Sequence, residues 1–141
     1  MSAVYPTKVA TVDEVYNFSD SITIVREPSL TRKIKEDHVV GHVDGLEAYK
    51  QAVYKILNTE RYEYIIYSWN YGFEFKDLIG KSVAYVVPEL EARIIEAVKQ
   101  DDRTLTVSNF EFDTSKFGVV SVTFTCTCVH GETNIELNVE I

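Results

Sequence analysis

The sequence predicts an α+β fold: two helices packed on a mostly antiparallel sheet, with a C-terminal three-stranded meander. Three observations lead there. Leu46, Tyr49, Val53, Ile56 and Leu57 recur at helical spacing, and so do Val87, Leu90, Ile94, Ala97 and Val98. Beyond residue 103 the period changes to two, with polar and apolar residues alternating almost to the last position. The 141 residues, 45% of them hydrophobic, fit one domain whose core needs no covalent staple.

The elements follow in order. Residues 1–20 form a polar N-terminal arm with Tyr5, Tyr16 and Phe18 scattered through it, and residues 21–141 form the domain. Ser21–Arg26 is β-prone, and Pro28 turns the chain. Thr31–Glu36 is a second short strand, with Gly41 ending the hairpin. Asp44 caps the first helix, Glu47 stands in a capping-box position, and the helix runs to about Asn58. Tyr62–Trp69 is a dense β-prone aromatic run, closed by a turn at Asn70–Gly72, and Phe73–Phe75 continues as a short extended piece. The second helix occupies Val86–Gln100. Pro88 is tolerated in a first turn, so Ser82–Val87 reads as a lead-in.

The meander begins with Thr104–Asp113, where the alternation slips at Ser108–Asn109 and implies a bulge. Val120, Val122, Phe124, Cys126 and Cys128 then face one way, and Ser121, Thr123, Thr125 and Thr127 the other. A tight turn at His130–Gly131 leads into Thr133–Ile141, where Ile135, Leu137, Val139 and Ile141 point inward. Cys126 and Cys128 are alternate residues of one strand, a poor disulfide geometry, so both are expected as reduced thiols.

Composition narrows the function. The formal net charge of −8 disfavours a phosphate-neutralising face, so no nucleic-acid partner is expected, and it favours basic protein partners. No run reaches the length of a membrane span and the first 20 residues lack a signal-peptide pattern, so no membrane partner is expected and the chain should be made in the cytoplasm.

Candidate chemistry is thin. Cys126, Cys128 and His130 could present three metal ligands on one strand face, but two core cysteines and a turn histidine fit better, and no metal or other cofactor is expected. Glu89, Glu91 and Glu96 on the second helix read as a solvated face, and with Asp101 and Asp102 beyond it they show no glycosidase pair. No Glu is followed nine residues later by Asp, the spacing common in phage lysozymes. Neither a phosphate loop nor a nucleophile elbow is present, and no catalytic residue is assigned. Trp69 with Tyr62, Tyr64, Tyr67 and Tyr71 could stack on a sugar or base, although a core or a subunit interface uses such residues more often.

The block Val43–Lys81 (VDGLEAYKQAVYKILNTERYEYIIYSWNYGFEFKDLIGK) resembles the XkdS-like baseplate proteins of the defective prophage PBSX. Relatives of these occur in clostridial phages and contractile bacteriocins. The shared order is a helix ending in Leu57-Asn58-Thr59-Glu60-Arg61, an aromatic run, Trp69-Asn70-Tyr71-Gly72, then Asp77-Leu78-Ile79-Gly80, and the likeness extends over about residues 22–141. That family is in turn similar to the small inner-wedge protein of contractile phage baseplates. The wedge protein carries Glu-Pro-Arg after its second helix; here the place reads Asp101-Asp102-Arg103, and only Arg103 is kept.

The resemblance implies a non-enzymatic structural protein of a phage or tail-like particle, similar in fold to the core domain of tail sheath subunits. Its implied partners are other baseplate wedge proteins and the tail sheath subunit, with tail tube or hub proteins as further contacts. It is expected to connect the baseplate to the sheath and to template the first sheath ring by strand pairing. Arg103 is then expected to bind a partner, and so is the last strand through Ile135, Leu137, Asn138, Val139 and Ile141. The main rival is a tail-borne peptidoglycan hydrolase. A third reading is a free ligand-binding module built on the Tyr-rich segment.

Overall fold

The computed structural model describes residues 28–36 and 38–141. The arm at residues 1–20 and the expected strand at Ser21–Arg26 lie outside the described residues. The order is β1 (Thr31–Lys35), β2 (His38–Val43), α1 (Gly45–Leu57), α2 (Val83–Val98), β3 (Thr104–Asp113), β4 (Val119–Cys128) and β5 (Gly131–Glu140). Among the described residues the strands make two antiparallel sheets, a β1–β2 hairpin and a β3–β4–β5 meander. The α+β expectation holds.

The hairpin differs from its sequence reading in one respect. Gly41 lies inside β2, not at its end. Its φ of +60° accommodates the register slip between Arg32 and Ile34, a kink that a residue without Cβ makes at little cost.

Asp44 caps α1 as expected, its Oδ1 accepting the Gly45 N–H at 2.7 Å. Glu47 does not close a capping box but reaches Lys33 on β1, 2.5 Å away. The second helix starts earlier than its apolar stripe indicates, at Val83, with the N–H groups of Tyr85 and Val86 both on the Ser82 carbonyl. Pro88 therefore sits inside the helix. It removes the bond to the Ala84 carbonyl, but Ala84 and Pro88 are both exposed and water can serve that oxygen. The buried stripe begins with Val86 rather than Val87.

The expected strand at Tyr62–Trp69 is absent. The segment is a string of exposed turns between Glu60 and Phe73, which form an isolated bridge. Aromatic β-preference reflects packing on a pleated surface, and no sheet edge is offered here.

The meander follows its pattern closely. Val120, Val122, Phe124, Cys126 and Cys128 are buried under α1 and α2, joined by Ile135, Leu137 and Val139 from β5. The bulge falls where the alternation slips. The register shifts between Ser108 and Glu111, and Asn109 adopts φ +56°, a region Asn tolerates. The inserted residue lets both Val107 and Phe110 pack on the core, and Phe110 stacks on Phe124 at 5.3 Å. The outer face is polar and cross-linked between strands, with the Ser121 hydroxyl 2.7 Å from Asn138 Oδ1 and Thr125 Oγ1 2.9 Å from Asn134 Oδ1.

Candidate partner-binding surface

Antiparallel pairing makes alternate residues turn their backbone groups toward the neighbouring strand and away from it. The Ile141 N–H donates to the Gly118 carbonyl at 2.9 Å, and β4 and β5 continue in that register from Val119–Glu140 to Cys128–Gly131. The odd-numbered residues of β5 therefore bond to β4. Asn134, Glu136 and Asn138 aim their N–H and C=O groups outward, along an edge that no described strand covers. The side chains of Ile135, Leu137 and Val139 are used by the core and Ile141 is half-buried, so what this strand leaves free is backbone.

The ground on either side of this edge is chemically distinct. On the core side a groove of about 250 Å³ runs along β5, lined by Leu57, Phe73, Phe75, Ile79, Leu137 and Val139 together with Asn58, Asn138 and Glu140. Ile79 is exposed there and Phe75 half-buried. On the outer face Glu132, Glu136 and Glu140 are exposed along β5, and β3 adds Glu111 and Asp113. An added strand would meet mostly apolar ground on one side and mostly carboxylates on the other.

Arg103 does not belong to this surface. It lines a separate cavity of about 400 Å³ with Pro28–Thr31, one flank of α1 and Asp101. Its guanidinium forms a fork on Asp101, 2.9 Å from Nε to Oδ1 and 2.6 Å from Nη2 to Oδ2, and lies 5.6 Å from the centre of the Tyr49 ring. Only 16% of its side chain is exposed. Burial alone would raise the Asp101 carboxyl, but the bonds from Arg103 outweigh it and hold that group below its usual range. Tyr49 in turn bonds through its hydroxyl to Thr104 Oγ1 at 2.8 Å, and that oxygen donates to the last turn of α2 at the Val98 carbonyl. The Asp101–Arg103 turn thus ties α1, α2 and β3 together.

The other sequence candidates are dispersed. Cys126 and Cys128 are buried free thiols, and burial pushes Cys126 up to about 11. His130 stands on the exposed turn, 3.0 Å from Ser29 Oγ. Among the described residues no group of His, Cys, Asp and Glu side chains is placed to hold a metal ion. Glu89 is bound to Arg93, and Glu96 to Arg61. No helix among the described residues is long and apolar enough to cross a membrane.

Arg61 stands in the sequence as the last residue of the Leu57–Arg61 motif, with no role of its own. Its side chain is 8% exposed, with Nε and Nη2 on the Gly72 carbonyl at 3.4 and 3.3 Å and Nη1 on Glu96 at 3.1 Å. No periodicity marks such a residue, because its partners are set by tertiary contact.

The family model of the contractile injection system sheath initiator matches residues 30–131, well over half of the chain. The Phage-like element PBSX protein XkdS of Bacillus subtilis (strain 168) is 43% identical over 74 residues, which are 50% of this chain and 52% of that protein. The chain thus spans about half the length of the curated relative it matches. These matches bear out the likeness carried by the Val43–Lys81 block, and the chain belongs to the contractile injection system sheath initiator family.

Proposed function

We propose that this protein is a non-enzymatic inner-wedge component of a tail baseplate, and that it starts the first sheath ring by accepting a strand of a sheath subunit along β5. The observation that carries this is the outward-facing backbone of Asn134, Glu136 and Asn138 on an edge left open among the described residues. The groove beside that edge suits the apolar residues of an incoming strand, and Glu132, Glu136 and Glu140 suit basic residues alternating with them. On this reading the domain is similar to the core domain of sheath subunits. Arg103 then serves assembly by holding the Asp101–Arg103 turn in the shape that a wedge partner meets.

Two prolines one residue apart test the reading. Asn138→Pro removes an outward N–H, which an edge strand tolerates, while Leu137→Pro removes an N–H bonded to β4. The first protein should fold and enter particles that carry no sheath, as scored by electron microscopy. The second should fail to fold. Normally sheathed particles carrying Asn138→Pro would refute strand addition here.

A further inference from the structure

The segment Tyr62–Tyr71 leaves the fold and returns to its starting point. Its neck is closed by the Phe73 N–H on the Thr59 carbonyl at 2.8 Å and by Arg61 on the Gly72 carbonyl, and Arg61 also binds Glu96 of α2. Inside the loop Tyr67 stacks on Tyr71 at 4.4 Å, and Tyr62 meets Trp69 edge-on at 6.4 Å. The loop therefore has a held shape. Its tip is nonetheless apolar and in water: Ile65 is 102% exposed, Ile66 84% and Trp69 83%. A rigid apolar tip rich in aromatic residues is the form that interface anchors take, since little freedom is lost when it is covered.

The surroundings of the tip restrict what can cover it. Glu60, Glu63, Glu74, Asp77 and Glu96 crowd the loop and its neck. Of the cations there, Lys76 is engaged by Glu63 at 2.7 Å, Arg93 by Asp77 at 2.6 Å and Arg61 by Glu96, and Lys81 lies near Asp77, four cations against the five carboxylates. The collar is net acidic, on a chain of formal charge −8. A second copy would bring the same acidic collar, and an anionic lipid surface would repel it. The chain's own residues 1–27 carry Lys8 and Arg26 against Asp13, Glu14, Asp20 and Glu27, the same sign again.

We propose that Ile65, Ile66 and Trp69 form a plug for an apolar socket rimmed by Lys and Arg side chains on another protein of the assembled particle. The proposal rests on the chain's being a particle component, and not on strand addition at β5.

The test uses Ile65→Asp/Ile66→Asp and Ile66→Leu in the full chain, produced together with the rest of the particle. Copies per purified particle are counted by mass spectrometry, and thermal unfolding of each free chain controls for folding. The charged pair should leave the melting temperature unchanged and reduce incorporation by about tenfold or more, a loss of anchor contacts. Ile66→Leu should incorporate normally. Asn138→Pro should also incorporate, so failure of strand addition and failure of the plug give different particles. A photo-crosslinking residue at position 66 should join a Lys- and Arg-rich peptide of another particle protein. Wild-type incorporation of the charged pair would overturn the proposal. So would crosslinks to this chain's own residues or to a second copy, or binding of the free chain to phosphatidylglycerol vesicles. Trp69 is the single tryptophan and reports on the free chain: acrylamide should quench it as it does exposed indole, and a shielded Trp69 would overturn the proposal in favour of an internal cover.

Discussion

Arg61 and Gly72 close a loop whose intervening residues make no strand: the guanidinium lies 3.3 and 3.4 Å from the glycine carbonyl. The contact needs a glycine. Gly72 has φ +103°, and a Cβ there would stand 2.7 Å from the Thr59 carbonyl oxygen and 3.0 Å from the Arg61 nitrogen. Both are backbone atoms and cannot swing aside. Gly72→Ala should therefore destabilise the fold by about 1–3 kcal/mol, read from the urea midpoint. A midpoint within error of wild type would mean that the neck relaxes.

Arg61→Lys separates charge from geometry. Lysine keeps the attraction to Glu96 and Glu74 but cannot span Gly72 and Glu96 with one planar fork. With the side chain 8% exposed, the unmet bonds should cost about 1–3 kcal/mol. The loop should also loosen, so hydrogen exchange at the Phe73 amide should quicken more than at amides of β4. Uniform quickening would show that Arg61 supports global stability alone.

How much of this could be read in the sequence depends on what fixes each feature. Val120 to Cys128 betray their faces because a strand has a period of two and β4 is covered on one side only. The Asn109 bulge is visible for the same reason: Val107 and Phe110 reach one face only if a residue is inserted between them. Asp44 is a local cap and reads locally. The start of α2 does not, because Pro88 argues against a helix unless the exposure of Ala84 is known. The aromatic run misleads because its residues favour a sheet that the fold does not place beside them. The groove beside β5 joins Leu57, Phe75, Ile79 and Val139, residues far apart in sequence that no short pattern relates.

Phe124 lies at the centre of β4, fully buried and stacked on Phe110. Phe124→Ala leaves a cavity between the sheet and the helices, so unfolding free energy should fall by about 3–5 kcal/mol. Thr123, one residue away, points to the solvated face. Thr123→Ala should change stability by about 0.5 kcal/mol or less. Equal effects at the two positions would contradict the one-sided packing of the meander.

The turn at Asp101 gives a pH signature. Burial raises its carboxyl, the three hydrogen bonds from Arg103 lower it, and the net result is a value below the ordinary 3.8. A carboxyl depressed in the folded state stabilises fully above its unfolded value and loses that contribution as pH falls through the folded one. Arg103 stays charged throughout, so the effect belongs to Asp101 alone. Asp101→Asn keeps the size of the side chain and removes the charge. It should cost about 1–3 kcal/mol at neutral pH, where the half-buried Arg103 loses its ionised partner. The gap between the two proteins should hold steady from pH 7 to about pH 5 and narrow below about pH 4. Asp77 and Asp113, also held low, titrate in both proteins and cancel in the difference. Urea unfolding of the pair across this range reads the gap directly. A gap that stayed constant at pH 3 would show that the cost lies in packing around the turn and not in the Asp101–Arg103 charge pair.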